Sequence, residues 1–462
     1  MQRRNRNRDR RPSLEQLEDL ILLSTLTPTQ VRHAYGMDSF HFVQNNTSIP
    51  ADGTGQTIAI VDAYHDPNLY RDLQTFDRQW GLADPSFAQV YYTTQTNDGW
   101  SVEESLDVEW AHAFAPAAKI LVVEANSSSF TDLLTAVNYA RQQPGVVAVS
   151  MSFGGGEFTG QTSYDSTFTT PANHGGVTFI ASTGDSGAAA GAEYPSTSPN
   201  VVAVGGTTLN VDSAGNYLGE SAWSGGGGGY SQVEGEPAYQ TSVQNTGVRT
   251  VPDVSLDADP NSGVYVYNTA PSTGQGNWYS VGGTSLSAPL FAGIVAVADQ
   301  GRMLSGKTSL DGPSQTLPAL YSSTFTADYH DVTTGSNGYA ATVGYDLATG
   351  RGTPKAFGFV RDLMAVANRA NSPSAPAGSA GSGGGGAGGH ITTAGESVRP
   401  SPAAAQVATT ATSADSTPFV AIPVNDSTEA APSVTRPATH VTSTHDLALG
   451  VIAQEWHSRW FV

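Results

Sequence analysis

The chain reads as an α/β protein: a mostly parallel central sheet covered by helices on both faces, three layers in all, with a flexible C-terminal tail. Three observations predict this. Short continuous runs of Val, Ile, Leu and Ala recur from Thr57 onward, helical segments separate them, and 462 residues suit one large domain plus a tail. Strands that lack polar alternation are buried on both faces, and strand–helix alternation builds parallel sheets.

Thr57–Val61 is the first such strand, followed by an amphipathic helix from about Pro67 to Trp80. A second helix runs from about Ser101 through Ala113 into the strand Lys119–Val123. A helix over Phe130–Arg141 precedes the strand Val146–Ser150, and Val177–Ile180 and Val201–Val204 are two further strands. Sites in such sheets lie outside the carboxyl ends of the strands. The pattern stops near Ala370: residues 371–390 are a Gly/Ser/Pro/Ala linker and 391–462 a low-complexity, mostly disordered tail. Its last stretch, Leu447 to Val462, suits either a short helix for anchoring or docking, or a disordered end. Residues 1–25 form a basic leader or sorting segment ahead of a domain at 26–370. Their apolar run Leu20–Leu23 is shorter than the roughly 7–15 residues of an ordinary secretory signal.

The net charge is −20, and residues 3–11 alone hold six Arg, leaving 15 basic against 40 acidic side chains elsewhere. That balance excludes nucleic acid as a partner of the main body. An acidic, weakly charged, Ser/Thr/Gly-rich surface suits an acidic, extracellular or cell-surface workplace. The absence of cysteine excludes disulfides, thiolate metal sites and cysteine nucleophiles. No stretch approaches the ~18 apolar residues of a spanning helix, so no transmembrane segment is expected.

The most specific motif is Gly283-Thr284-Ser285-Leu286-Ser287-Ala288-Pro289, leading into the apolar run Leu290–Ala298. A serine at a helix mouth lies in the positive end of the helix dipole, near backbone N–H groups that can hold an oxyanion. Pro289 is expected in the first helical turn, where proline is tolerated. The alternative is an N-capped helix with an incidental serine. A nucleophilic serine needs a base, and no histidine stands in a His-Gly-Thr context. Glu103 and Asp107, four apart on the second helix, share one face. Buried together, they would raise one pKa strongly and supply a base; otherwise they are a solvated acidic face, to which Glu104 and Glu109 are assigned. Asp185, in Ser182-Thr183-Gly184-Asp185-Ser186-Gly187 after a strand end, suits either a protonated oxyanion donor or an Asx turn.

With Ser150-Met151-Ser152-Phe153-Gly154, these motifs in this order resemble the sedolisin family of serine-carboxyl peptidases, kumamolisins included, over roughly Leu26 to Ala370. The resemblance implies a subtilisin-like fold and hydrolysis of peptide bonds in polypeptide substrates in acid, and the chain is expected to be a monomer. It implies Ser285 as nucleophile, Glu103 as general base, Asp107 orienting it, and Asp185 as the oxyanion-hole acid. The Gly-rich run Ser224–Gly229 looks like the family's loop beside the substrate cleft. Asp331 and Asp346, with the carbonyls of Val332, Thr342 and Gly344, are similar to the family's structural Ca²⁺ loop, and hard oxygen donors suit that ion.

Three departures follow. The segment Leu26–Gly36 resembles the start of the mature domain, so control without the family's usual prosegment is expected. Phe153 stands where the family often has Trp, which would remove an indole hydrogen bond behind the acidic pair. Asp62, at the end of the first strand, is given no catalytic role. Three other readings stay open: a tripeptidyl-type exopeptidase, an inactive surface scaffold of the same fold, and a Ser-His-Asp hydrolase using His65 or His112.

Overall fold

The structure, a computed structural model, describes residues 25–369 apart from Ser39. The leader before Thr25, the linker and the tail with its terminal helix lie outside the described residues. The expected strands form as β1 (Thr57–Ala63), β3 (Lys119–Ala125), β4 (Val146–Met151), β5 (Thr178–Ser182) and β6 (Val201–Val211), joined by β2 (Phe87–Tyr91), β7 (Tyr217–Ala222) and β8 (Val254–Asp257). The order is β7–β6–β5–β4–β1–β3–β2, with β8 also beside β6. Every pairing is parallel except β6 with β7.

Alternation along β1 divides the core. Ile58 and Ile60 join the cluster on one face, which includes α2 (Asp98–Phe114) and α4 (Thr284–Leu304). Ala59, Val61 and Ala63 pack on the other face with α3 (Phe130–Ala140). The helix α1 (Leu69–Trp80) and a hairpin, β9 (Val264–Ala270) with β10 (Gln275–Val281), close over α2. The hairpin was not foreseen; in β9 the buried Val264, Val266 and Asn268 alternate with half-buried Tyr265 and Tyr267, because one side of the strand faces α2.

This cover corrects one expectation. Glu104 and Glu109 do not belong to a solvated face; both are fully buried. Because α2 lies between the sheet, α4 and the hairpin, almost no face of it meets water. Glu109 Oε2 accepts from the Tyr267 N–H (3.1 Å), and Trp110 Nε1 donates to the Tyr265 carbonyl (2.9 Å), so polar groups of α2 serve the edge of β9.

Candidate active site

The site lies beyond the carboxyl ends of the central strands, between α2 and the start of α4. Helix α2 opens at Asn97, whose side chain accepts from Gly99 N (2.9 Å) and Trp100 N (3.1 Å). One turn later Glu103 is half-buried and Asp107 fully buried. Burial pushes the Asp107 carboxyl well up, the negative charges of Asp62 and Glu103 add to the shift, and the Ser152 hydroxyl opposes it. Asp62 is likewise fully buried, raised first by desolvation and then by Glu103 and Glu124. It shares the face of Ile58 and Ile60, which points at α2. Asp62 is therefore a third member of the acidic group, and strand alternation was the signal that could have placed it there.

Ser285 is the second residue of α4, directly after Gly283 and Thr284. Pro289 lies in the second turn of α4 rather than in its first, because the helix already begins at Thr284. A proline there has no N–H for the carbonyl four residues back. That carbonyl belongs to Ser285, and it accepts instead from the Ser152 hydroxyl at 3.2 Å. The Ser150–Gly154 motif thus reaches the Ser285 backbone on one side and lies beside Asp107 on the other. Phe153 is buried in the core beneath α3.

Asp185 follows β5 and folds onto the turn that introduces α4. Its Oδ1 accepts from the Thr284 N–H and from the Thr284 hydroxyl, both at 2.7 Å, and the Gly184 N–H donates to the same hydroxyl (3.1 Å). Its Oδ2 lies 2.6 Å from where a Cβ on Gly283 would stand, and Gly283 has φ +120°. Glycine is required there on both counts. The glycine-rich run threads the same region: Gly227 N donates to Gly184 O (2.7 Å), and a Cβ on Gly227 would stand 1.8 Å from the Thr183 carbonyl oxygen. A further residue, not singled out in the sequence, is Glu193, whose carboxylate packs against Gly154 and Gly184.

The two histidines considered as bases hold carboxyls elsewhere. His65 Nδ1 is 2.7 Å from Glu124 Oε2, and buried His112 lies 3.2 Å from Asp77 Oδ1. Of the expected calcium ligands, Asp331 places both carboxylate oxygens 3.1 Å from Gly344 N, while Asp346 accepts from Thr342 N (2.7 Å), Ala348 N (2.9 Å) and Thr349 N (2.8 Å). Both carboxylates thus converge on the 342–349 turn, and Val332 packs with Ala341 and Ala348 beneath it. This oxygen-rich donor set fits a hard divalent cation. Among the described residues no three His, Asp or Glu side chains cluster as metal ligands.

Residues 89–326 match the subtilase family. The chain is similar to sedolisin from Pseudomonas sp. (strain 101), 31% identical over 358 residues that cover 69% of this chain and 58% of that one. It is 32% identical to kumamolisin from Bacillus sp. (strain MN-32) over 364 residues, 69% of this chain and 62% of that one. The chain therefore spans about three fifths of the length of these relatives. Among solved structures, Pseudomonas sedolisin complexed with two molecules of pseudo-iodotyrostatin aligns with a TM-score of 0.64 at 28% identity, covering 74% of this chain and 98% of that chain. With this fold, this site and these relatives, the chain belongs to the subtilase family, in its sedolisin branch of serine-carboxyl peptidases.

Proposed function

We propose that the chain is an acid-acting serine-carboxyl endopeptidase working outside the cell or at its surface on extended polypeptides. The observation that carries this reading is the position of Ser152, which donates to the backbone carbonyl of Ser285 on α4 and lies beside the buried acid Asp107 on α2. A binding scaffold has no use for a buried, uncompensated carboxyl beside a helix-mouth serine. No described helix is long and apolar enough to cross a membrane.

In the first step Ser285 Oγ attacks the scissile carbonyl carbon while its proton passes to Glu103. Asp107, protonated in acid, donates toward Glu103 and holds it in line. The carbonyl oxygen becomes an oxyanion. Asp185 meets it with a proton on Oδ2, because Oδ1 is already held by the two Thr284 donors. Glu103 then returns its proton to the leaving amine, and the acyl-serine bond is cleaved by water with the same groups in reverse. Such a site needs Glu103 ionised and Asp185 protonated together, a combination that acid favours. Asp331, Asp346 and the carbonyls of Val332, Thr342 and Gly344 would hold one Ca²⁺, whose charge supplies a brace for the 331–349 loop and takes no part in bond cleavage.

The test is hydrolysis of an unfolded protein from about pH 3 to 8 by wild type, Ser285→Ala and Glu103→Ala. Acid-limited cleavage lost in both variants, by roughly 10³-fold or more, is expected. Activity near neutrality that survives loss of Glu103 would overturn the carboxyl mechanism, and a folded, calcium-loaded but inert wild type would favour a scaffold. Internal cuts in a substrate with a blocked N-terminus mark an endopeptidase; release of tripeptides from free N-termini alone marks an exopeptidase.

A further inference from the structure

The mouth of α4 is fastened to three strand ends by hydrogen bonds that leave the helix. Asp185, past β5, receives the Thr284 N–H at 2.7 Å. The Ser287 hydroxyl donates to carbonyls of β8, at 3.0 Å to Asp257 and 3.2 Å to Leu256. Between these two, the Ser152 hydroxyl, just past β4, donates to the Ser285 carbonyl at 3.2 Å. Ser285 is thus bracketed, one residue ahead by Asp185 and at its own carbonyl by Ser152. Both serines are enclosed, Ser152 at 8% exposure and Ser285 at 7%.

In an uninterrupted helix the Ser285 carbonyl would take the N–H four residues on, which is that of residue 289. Proline has no N–H to give, and its ring crowds the same carbonyl. A buried carbonyl left without a donor costs more than a made bond gains, so a donor from outside the helix has a defined task here. Any other residue at 289 would let α4 fix the Ser285 peptide by itself. Proline passes that control to the segment after β4. We propose that Ser152 is a positioning residue for Ser285, and that Pro289 makes it one: the hydroxyl fixes the Ser285 carbonyl and, through that peptide, the direction of Oγ. The effect on turnover rests on the peptidase reading, in which Ser285 is the nucleophile; the contact and its dependence on Pro289 do not.

Ser152 acts through the Ser285 main chain and takes no part in bond making. Loss of its hydroxyl lets the Ser285 peptide turn and carries Oγ off its line of attack, while the surfaces that bind substrate are unchanged. kcat therefore falls and KM does not. A displacement of about 1 Å costs on the order of 100-fold, so Ser152→Ala lowers kcat by on the order of 10- to 100-fold. No titratable group is gained or lost, and the pH limits of activity stay where they are.

The experiment is a double-mutant cycle in kcat and KM over Ser152→Ala and Pro289→Ala. The second substitution returns an N–H to the helix at the position from which it reaches the Ser285 carbonyl. The expected result is that Ser152→Ala costs 10- to 100-fold in kcat with proline in place and less than about threefold in the Pro289→Ala background. An equal cost in both backgrounds, or an unaltered kcat, would overturn the proposal, because the loss would not run through the Ser285 carbonyl. A displaced pH profile would overturn it as well, by making the hydroxyl a partner of neighbouring Asp107. In parallel, the ¹³C resonance of the Ser285 carbonyl is followed in the same four proteins, which needs no turnover. It moves on Ser152→Ala with proline in place and barely in the Pro289→Ala background. An inert wild type would remove the peptidase reading, and this resonance would still decide the present one. If Ser152→Ala does not fold, Ser152→Cys fills the same space with a weak donor, and an unmoved Ser285 resonance there is sufficient to reject the proposal.

Discussion

Two buried charged regions of this molecule solve the same problem in opposite ways. Near β6, Arg249 and Asp253 are fully buried and bidentate, with both N–O distances 2.6 Å. Asp253 also accepts from Ala203 N (2.8 Å) and the Tyr321 hydroxyl (2.5 Å), and Arg249 donates to the Val201 and Thr250 carbonyls. At the mouth of the sheet, Asp62, Glu104 and Asp107 are equally buried and have no such cation partner, and burial pushes all three carboxyls up. An ion pair of this kind is compensated within itself and serves the scaffold. A proton can be moved, so the acidic group can do chemistry, at the cost of depending on pH.

The sharpest way to break the contrast is to unbalance the ion pair. Arg249→Met leaves Asp253 uncompensated and should cost about 3–5 kcal/mol of stability, read from denaturant midpoints. The pH limits of the activity that remains should not move. The second expectation concerns carboxyls held by protons. Asp66 is raised to about 7 and Asp299 to about 8, both chiefly by burial. A raised folded pKa contributes stability that is complete below the unfolded value near 4 and is lost as pH rises through the folded value. Unfolding free energy should therefore fall between about pH 4 and 8, by an amount on the order of several kcal/mol. Asp299→Asn should flatten the upper part of that fall; an unchanged slope would exclude Asp299 as its source. The smallest effect belongs to the loop at 331–349. Chelation of calcium should lower the melting temperature by a few degrees, corresponding to about 1–3 kcal/mol. Asp331→Asn should melt at the chelated value and cease to respond.

Much of this was legible beforehand. The strands β1, β3, β4, β5 and β6 were readable because burial on both faces leaves continuous apolar runs, and the acidic pair, the Asp185 loop and the serine turn were readable as motifs. What was missed has a common cause. Glu104 and Glu109 look like solvent-facing residues in any helical projection, because sequence gives no sign that a proton or a strand-edge N–H will receive them. The β9–β10 hairpin that buries them comes more than 150 residues later in the chain. Asp62 has no role in the family resemblance, which puts the acid on the helix, although the parity it shares with Ile58 and Ile60 already aims it at α2. Pro289 reads as a first-turn residue because the apolar run, rather than Thr284, looks like the start of the helix.

The missing N–H of Pro289 has a consequence for how the site moves. A helix ordinarily holds its own peptide groups, and a serine in its first turn is then as rigid as the helix. Here the Ser285 carbonyl is moored across a gap, to a hydroxyl just past the end of β4. The position of Ser285 is thus a relation between two elements rather than a property of one. Local opening of the 150–154 segment would loosen the serine backbone and uncover Asp107 together. Misalignment of the attacking atom and hydration of the acid behind the base would then be a single event, with a single free energy.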